Sequence, residues 1–165
     1  MGFRVGIVTL SDSAYRGERE DKSGPEIEAI LGEAGDFEIV EKRTLPDDLG
    51  MISAALKEMA DSHRFHLILT TGGTGLYPRD VTPEATKEVI QREVPGLPEL
   101  MRMEGGKSTP KAYLSRAVAG IRGETLIVNL PGSRRAVRES LSAILPILSH
   151  ALEKVMGDST PCGGG

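Results

Sequence analysis

The chain has 165 residues, with 24 acidic and 20 basic side chains and a net charge of −4. That length suits a single domain with a buried core. A hydrophobic share of 39% excludes a disordered chain, and the short, interrupted apolar segments exclude a membrane span. The acidic balance argues against nucleic-acid binding. Because the only cysteine is Cys162 and no apolar leader follows Met1, we expect a cytoplasmic protein without disulfides.

The first part of the chain predicts strands that alternate with helices. Phe3 to Leu10 is apolar and β-branched nearly throughout, which is typical of a strand covered on both faces. Ser23-Gly24-Pro25-Glu26 has the pattern of a capping box, with Ser23 as the N-cap of a helix. Phe37 to Leu45 predicts a second strand, and apolar residues three or four apart from Leu49 to Met59 predict the next helix. His66 to Thr71 predicts another buried strand.

The middle of the chain continues this alternation. Thr82 followed by Pro83 predicts an N-cap with proline in the first helical turn. Arg116 to Ile121 predicts a strand that pairs with Glu124 to Asn129 through a turn at Arg122-Gly123. Strands that alternate with helices predict an α/β fold of three layers, a mostly parallel sheet with helices on both faces.

The C-terminal part predicts one long helix and a tail. Ser133 is the candidate N-cap, and an apolar stripe runs from Val137 to Val155. Pro146 is expected to kink or split this helix. Residues 157–165 lack apolar spacing, so we expect one domain over 1–156 followed by a flexible tail.

The most informative segment runs from Thr70 to Ala85, where a buried strand passes through Gly72, Gly73 and Gly75 into a helix. Glycines allow positive φ and let backbone N–H groups approach an anion, and threonine hydroxyls add donors. In an open α/β sheet such loops lie beyond the carboxyl ends of the strands, where ligands bind. The sequence therefore indicates a loop that binds a phosphate-like ligand, not merely a tight turn. A second loop, from Asn129 to Ser133, supports the same interpretation.

Two familiar nucleotide signatures do not fit. Gly73-Thr74-Gly75 is followed by Tyr77 and Pro78, so the third glycine of a dinucleotide fingerprint is missing. Gly106-Lys107-Ser108 resembles the end of a P-loop, but Met101 stands where that motif needs glycine. We interpret the second match as fortuitous.

Aspartates supply a second indication. Asp80 follows the glycine loop, and Asp47 and Asp48 follow a predicted strand, so all three can reach the same sheet edge. A carboxylate about 4 Å from a phosphate charge costs on the order of 4 kcal/mol at an effective dielectric near 20, and a divalent cation reverses that sign. Carboxylates with water and substrate phosphates are typical of Mg²⁺ sites. The alternative is that Asp47 or Asp48 caps the following helix.

Other candidates are weaker. His63 and His66 have a ligand-like spacing but no nearby cysteine, which disfavours zinc. Cys162 has no neighbouring base and is disfavoured as a nucleophile. Arg134 and Arg135 fall in the first turn of a helix, where their charges oppose the helix dipole. They either meet an anionic ligand there or are solvated.

Taken together, these residues resemble the Mog-type molybdopterin adenylyltransferases, with their MoaB-type sister branch and the G domain of gephyrin. The matching segments are Ser11-Asp12 with Gly17, Asp21 and Ser23-Gly24-Pro25; Pro46-Asp47; Thr70 through Ala85; Glu99, Met101 and Arg102; Leu114-Ser115-Arg116; and Asn129 through Ser133. The resemblance spans nearly the whole chain.

The resemblance implies a molybdopterin-binding fold, a homotrimer, and transfer of AMP from ATP to molybdopterin with Mg²⁺ and release of pyrophosphate. Asp47 and Asp80 match the two functionally important aspartates, and we expect them to hold the metal. The remaining matched binding residues are Ser11, Asp12, Thr70, Thr71, Gly72, Gly73, Thr74, Gly75, Asn129, Pro131, Gly132 and Ser133. Arg134 and Arg135 replace the usual proline and lysine. ATP and molybdopterin are the expected partners, together with the molybdenum-insertion enzyme but no nucleic acid or membrane.

The predicted chemistry agrees with this resemblance. A phosphate monoester is mostly ionised near neutral pH and can attack the α-phosphorus of ATP without a protein base. The protein then has to align two anions and neutralise charge. One alternative is a non-catalytic molybdopterin-binding or scaffold protein. Another is a flavodoxin-like carrier, which an aromatic share of 4% without tryptophan disfavours.

Overall fold

The computed structural model describes residues 2–162. The strands are β1 (Phe3–Leu10), β2 (Phe37–Leu45), β3 (Leu67–Thr71), β4 (Arg92–Glu93), β5 (Ala119–Arg122) and β6 (Thr125–Leu130). The helices are α1 (Asp12–Tyr15), α2 (Ser23–Ala34), α3 (Leu49–Asp61), α4 (Thr82–Val89), α5 (Gly96–Gly106) and α6 (Arg134–Val155), with a 3₁₀ helix at Pro110–Leu114. Among these residues, no helix has both the length and the apolar character needed to cross a bilayer.

A single six-stranded sheet has the order β2-β1-β3-β6-β5-β4. β2, β1, β3 and β6 run parallel, and the β5 and β4 pairings are antiparallel. Thr9 on β1 pairs with Thr71 on β3, which in turn pairs with Leu130 on β6. The carboxyl ends of the three central strands therefore finish level at one edge, and the loops that leave them start side by side.

Apolar side chains cover both faces of the sheet. On β3, Leu67 and Leu69 pack in a core with residues of α2, α5 and α6, whereas Ile68 packs with residues of α3 and α4. This is why the central strands show no polar alternation in the sequence: both of their faces are buried under helices. The predicted three-layer α/β fold with a mostly parallel sheet is confirmed.

The antiparallel edge differs from the prediction. β5 and β6 do pair, but the turn between them lies at Gly123 and Glu124, one residue later than expected. Arg116 is not part of β5 because its backbone N–H bonds the Thr74 carbonyl instead of a neighbouring strand. The two-residue strand β4 was not predicted, since Arg92–Glu93 is too short and too polar to give a pattern.

Two of the three predicted helix caps are wrong. Ser23 is the first residue of α2, and Asp21 Oδ1 instead accepts hydrogen bonds from the N–H groups of Ser23 and Gly24. Thr82 is the first residue of α4, and its hydroxyl donates to the Gly72 carbonyl rather than capping the helix. Ser133 is confirmed as the cap of α6, because its Oγ accepts from the Ala136 N–H at 3.2 Å.

The long last helix is not split at Pro146, since α6 is helical over all 22 of its residues. Of the predicted tail, 157–165, the structure describes residues up to Cys162 and assigns no helix or strand to them. Residues 163–165 lie outside the described part. The division into one domain and a flexible tail stays a prediction.

Candidate functional site

Two loops leave the carboxyl edge of the sheet in contact with each other. The Gly72 N–H donates to the Leu130 carbonyl at 3.2 Å, and the Thr71 hydroxyl donates to the Pro131 carbonyl at 2.6 Å. A Cβ on Gly132 would lie 3.3 Å from the Cα of Gly72. The glycine loop after β3 and the second loop after β6 thus form one continuous surface.

Glycine is required at two positions of this surface. Gly72 has a φ of 101° and Gly73 a φ of 67°, both in the region that other residues rarely adopt. A Cβ on Gly72 would lie 2.3 Å from the carbonyl oxygen of Leu10, and one on Gly73 would lie 2.3 Å from the Thr82 hydroxyl. Any side chain there would therefore displace the neighbouring backbone or helix start.

Asp47 and its neighbour Asp48 have separate roles. The Asp48 side chain caps α3 by accepting from the Met51 N–H at 2.9 Å. Asp47 is therefore not the cap of this helix. Asp47 Oδ2 accepts from the Asp12 N–H at 3.1 Å, and Asp12 Oδ1 accepts from the Asp47 N–H at 2.9 Å. This reciprocal pair fixes the Asp47 carboxylate in one orientation.

The second oxygen of Asp47 is left without a partner. Asp47 Oδ1 is a buried side-chain atom with no hydrogen bond to any of the described residues. Burial raises the pKa of this carboxyl, and the negative charges of Asp12 and Asp80 raise it further, against the lowering effect of its Asp12 backbone hydrogen bond. Asp47 Oδ1 is therefore a desolvated carboxylate oxygen that a cation could bind.

Asp80 is held by its own loop. Its Oδ2 accepts from the Tyr77 N–H at 3.1 Å, and its N–H donates to the Tyr77 carbonyl at 2.8 Å. A Cβ on Gly75 would lie 2.9 Å from Asp80 Oδ2, so the absence of a side chain at Gly75 leaves room for the carboxylate. Asp80 and Asp47 line the same cavity.

These two carboxylates fit a magnesium ion. A buried, unpaired carboxylate oxygen is the kind of hard ligand that Mg²⁺ takes, and this ion usually uses one or two carboxylates together with water and substrate phosphates. Within residues 2–162, no group of three or more His, Cys, Asp or Glu side chains is placed to hold a metal by itself. The two aspartates thus fit a cation that is also bound by a phosphorylated ligand.

His66 lies outside this site, and its Nδ1 accepts a hydrogen bond from the Arg4 N–H.

Two cavities meet at the loops. The larger, of about 640 Å³, extends toward α5 and the 3₁₀ helix and has Pro98, Met101 and Leu114 in its wall. The smaller, of about 520 Å³, extends toward α2 and has charged groups such as Lys22 in its wall. Their linings share Gly73, Asp80, Gly132 and Ser133.

Most of the site residues predicted from the sequence line these cavities. They are Ser11, Asp47, Thr71, Gly72, Gly73, Thr74, Gly75, Asp80, Pro131, Gly132 and Ser133. Asp12, Thr70 and Asn129 line neither cavity. Asp12 acts through its hydrogen bonds to Asp47.

Thr70 and Asn129 are fully buried under the site. Asn129 Nδ2 donates to the hydroxyls of Thr70 and Thr86 at 3.0 and 2.9 Å, and its Oδ1 accepts from the Val118 N–H at 3.1 Å. Its polar atoms are thus occupied in joining β6 to β3 and α4. Thr70 and Asn129 support the loops from below and line neither cavity, and their predicted part in ligand binding stays a prediction.

The arginine contacts around the site were not predicted from the sequence. Arg79 makes a two-point ion pair with Asp12, at 3.0 Å from Nε to Oδ2 and 2.8 Å from Nη2 to Oδ1. That ion pair lowers the pKa of Asp12 and joins the Asp80 loop to the residue that orients Asp47. Because the partners are 67 positions apart, no local spacing could have indicated the pair.

The two arginines at the start of α6 form ion pairs with different glutamates. Arg134 Nε donates to Glu26 Oε2 at 2.9 Å, and Arg138 Nε donates to the other oxygen of Glu26 at 2.7 Å. Both ion pairs lower the pKa of Glu26, that with Arg138 more strongly. Arg135 pairs with Glu139 at 3.0 Å. Of Arg134 and Arg135, only Arg134 lines the smaller cavity.

The fold and site together define an α/β protein whose two adjacent cavities meet over glycine loops and a pair of aspartates. The family model of the probable molybdopterin binding domain matches residues 6–150, and the chain belongs to that family. The molybdopterin adenylyltransferase of Escherichia coli is 44% identical over 144 residues, covering 86% of this chain and 73% of the relative.

Two further comparisons agree. The molybdopterin adenylyltransferase of Helicobacter pylori is 41% identical over 162 residues, covering 94% of this chain and 89% of the relative. The crystal structure of the molybdopterin biosynthesis enzyme MoaB from Thermus thermophilus is similar with a TM-score of 0.89 and 55% identity, covering 94% of this chain and 98% of that one. The family match over residues 6–150 includes both loops.

Proposed function

We propose that this chain is a molybdopterin adenylyltransferase of molybdenum cofactor biosynthesis. It transfers AMP from ATP to the terminal phosphate of molybdopterin and releases pyrophosphate. The observation that carries the proposal is the pair of cavities that share Gly73, Asp80, Gly132 and Ser133 in their walls. Two phosphorylated reactants, one in each cavity, would bring their phosphates together at this shared wall. The names of the bacterial relatives support the same reaction.

The reaction needs alignment more than proton transfer. An oxygen of the molybdopterin phosphate attacks the α-phosphorus of ATP, a new P–O–P bond forms, and the bond to the leaving pyrophosphate breaks. The attacking oxygen already carries negative charge near neutral pH, so no side chain has to remove a proton. Holding two reactants in line can supply roughly 7–11 kcal/mol of the barrier reduction.

The chain's own groups divide this work. The backbone N–H groups of Gly73 and Gly75 would bind the phosphates, as glycine-rich loops do in other phosphate sites, whereas the Gly72 N–H already donates to the Leu130 carbonyl. Asp47 and Asp80 would hold Mg²⁺, which supplies positive charge to the phosphates when bound. Asp12 and Arg79 keep Asp47 in the orientation that leaves its Oδ1 free.

An assay with the purified full chain tests this function. With ATP, molybdopterin and Mg²⁺ present, we expect pyrophosphate release that continues over many turnovers and stops when any one component is omitted. The alternative, a non-catalytic molybdopterin-binding protein, predicts bound molybdopterin without pyrophosphate. That outcome would overturn the proposed reaction.

We further propose that the enzyme works as a homotrimer in the cytoplasm and delivers its product to a molybdenum-insertion enzyme. Large apolar side chains are exposed on the surface, among them Tyr15, Met103 and Tyr113, and they would suit contacts between chains. Analytical ultracentrifugation should give three times the mass of one chain, and a monomer would contradict this assembly.

A further inference from the structure

The loop that carries Asp80 has little packing of its own. Leu76 and Tyr77 leave 64% and 69% of their surfaces exposed, so their side chains do not anchor the loop in the core. Inside the loop, the only hydrogen bonds among the described residues join Tyr77 and Asp80. Arg79 ties the loop to Asp12 at one point, but a loop with so few contacts lets its carboxylate move unless a further side chain fixes its two ends.

One side chain from a distant segment holds both ends of this loop. Arg116 Nε donates to the Gly75 carbonyl at 2.8 Å, and its Nη2 donates to the Asp80 carbonyl at 2.7 Å. Its Nη1 pairs with Glu84 on α4 at 2.6 Å, and its backbone N–H donates to the Thr74 carbonyl at 2.8 Å. The guanidinium thus joins the two ends of the loop, Gly75 and Asp80.

We propose that Arg116 is a positioning residue for Asp80, which sets the rate of adenylyl transfer by fixing the loop from Gly75 to Asp80. The inference rests on the proposed function, since it takes Asp80 as a group that acts in that reaction. Arg116 bonds only the backbone of Asp80 and leaves the carboxylate free for the site.

Arg116 also connects the loop to the larger cavity. Its neighbours Leu114, Ser115 and Ala117 line that cavity, whereas Arg116 reaches out of the wall to the loop. Arg116 therefore joins this part of the wall to Asp80, which lines the same cavity. Lysine could not replace it, because a single ammonium group lacks the planar fork that reaches two carbonyls and a carboxylate together.

The test uses Arg116→Gln and Arg116→Lys with two controls. Glu84→Gln weakens the ion pair but keeps the two carbonyl contacts of Arg116. Arg122→Gln is a matched structural control, because Arg122 also bonds a carbonyl, that of Val89, and a carboxylate, that of Asp61, away from the site. All variants are measured as full chains for kcat, for the KM of molybdopterin and for amide hydrogen exchange at Tyr77 and Asp80.

We expect both Arg116 variants to lower kcat by about 10- to 100-fold, the range that a displacement of about 1 Å can cause, and to leave the KM for molybdopterin nearly unchanged. Amide exchange at Tyr77 and Asp80 should become faster in substrate-free protein. Arg122→Gln should lower the melting temperature without either effect, and Glu84→Gln should keep most of the kcat. In Arg116→Ala, added guanidinium ion should restore part of the rate.

Two results would overturn the inference. One is an Arg116→Gln protein that folds and keeps the wild-type kcat. The other is unchanged amide exchange at Tyr77 and Asp80 in that variant. If the wild-type chain itself releases no pyrophosphate, the proposed function fails, while the exchange measurement still decides whether Arg116 fixes the loop.

Discussion

Asp47 is the residue at which stability and function are in conflict. Its Oδ1 is buried without a hydrogen bond from the described residues, and its pKa is raised by burial. A buried acceptor without a partner costs on the order of 1–3 kcal/mol. The fold tolerates this cost at the place where the proposed magnesium ion would remove it.

The raised pKa fixes the direction of the pH dependence. The folded chain holds the Asp47 proton more tightly than the unfolded chain does, so stability from Asp47 is fully present below its ordinary pKa of 3.8. It is lost as the pH rises through the raised pKa. Asp47→Asn should therefore increase the free energy of unfolding, measured by urea titration without divalent cations, by on the order of 1 kcal/mol near neutral pH. Below pH 3.8 the gain should largely disappear.

The matched control for this prediction is Asp48→Asn. Asp48 is a helix cap in the next position, and asparagine caps a helix as well as aspartate does. That variant should leave the free energy of unfolding nearly unchanged at both pH values. An Asp47→Asn protein that is less stable than wild type near neutral pH would contradict the interpretation of Oδ1 as an unpaired ligand.

At the scale of elements, Asp21 joins β1 to α2. Its Oδ2 accepts from the Thr9 hydroxyl at 2.8 Å, and its Oδ1 accepts from the N–H groups of Ser23 and Gly24 at 3.1 and 3.0 Å. A Cβ on Gly24 would lie 2.4 Å from Asp21 Oδ2, so the close approach requires glycine there. The start of α2 and the end of β1 depend on one carboxylate.

Removing that carboxylate should destabilise the protein. Asp21→Ala loses the cap of α2 and the link to Thr9, which predicts a loss of about 1–2 kcal/mol in the free energy of unfolding. The neighbouring Glu20 also lines the smaller cavity and is exposed, so Glu20→Ala should change the same quantity by less than about 0.5 kcal/mol. Equal effects of the two substitutions in a urea titration would show that Asp21 is not the cap.

At the scale of the whole molecule, the sheet could be predicted because its central strands are apolar on both faces. Phe3 to Leu10 was predicted with its observed bounds, since burial of both faces leaves a continuous apolar segment. The caps at Ser23 and Thr82 were predicted wrongly for a single physical reason. Local patterns favoured their hydroxyls, but the Asp21 carboxylate accepts from the first two N–H groups of α2, and the Thr82 hydroxyl bonds Gly72 in another segment.

The site could be predicted only in part for the same reason. Asp47 and Asp80 follow strand ends and a glycine loop, so the topology brings them to one edge of the sheet. Arg79 and Arg116 contact partners 67 and 41 positions away, respectively, and such pairs leave no spacing in the sequence. Thr70 and Asn129 belong to the matched segments, but their burial under the loops follows from packing alone.

The most direct test of the whole account compares adenylyl transfer by wild type, Asp47→Asn and Asp80→Asn over a range of Mg²⁺ concentrations. We expect either substitution to lower kcat by about 100-fold or more, as loss of charge stabilisation at a reacting centre does. Molybdopterin should still bind to both variants. A kcat for either variant that equals that of wild type at the same Mg²⁺ concentration would contradict the account.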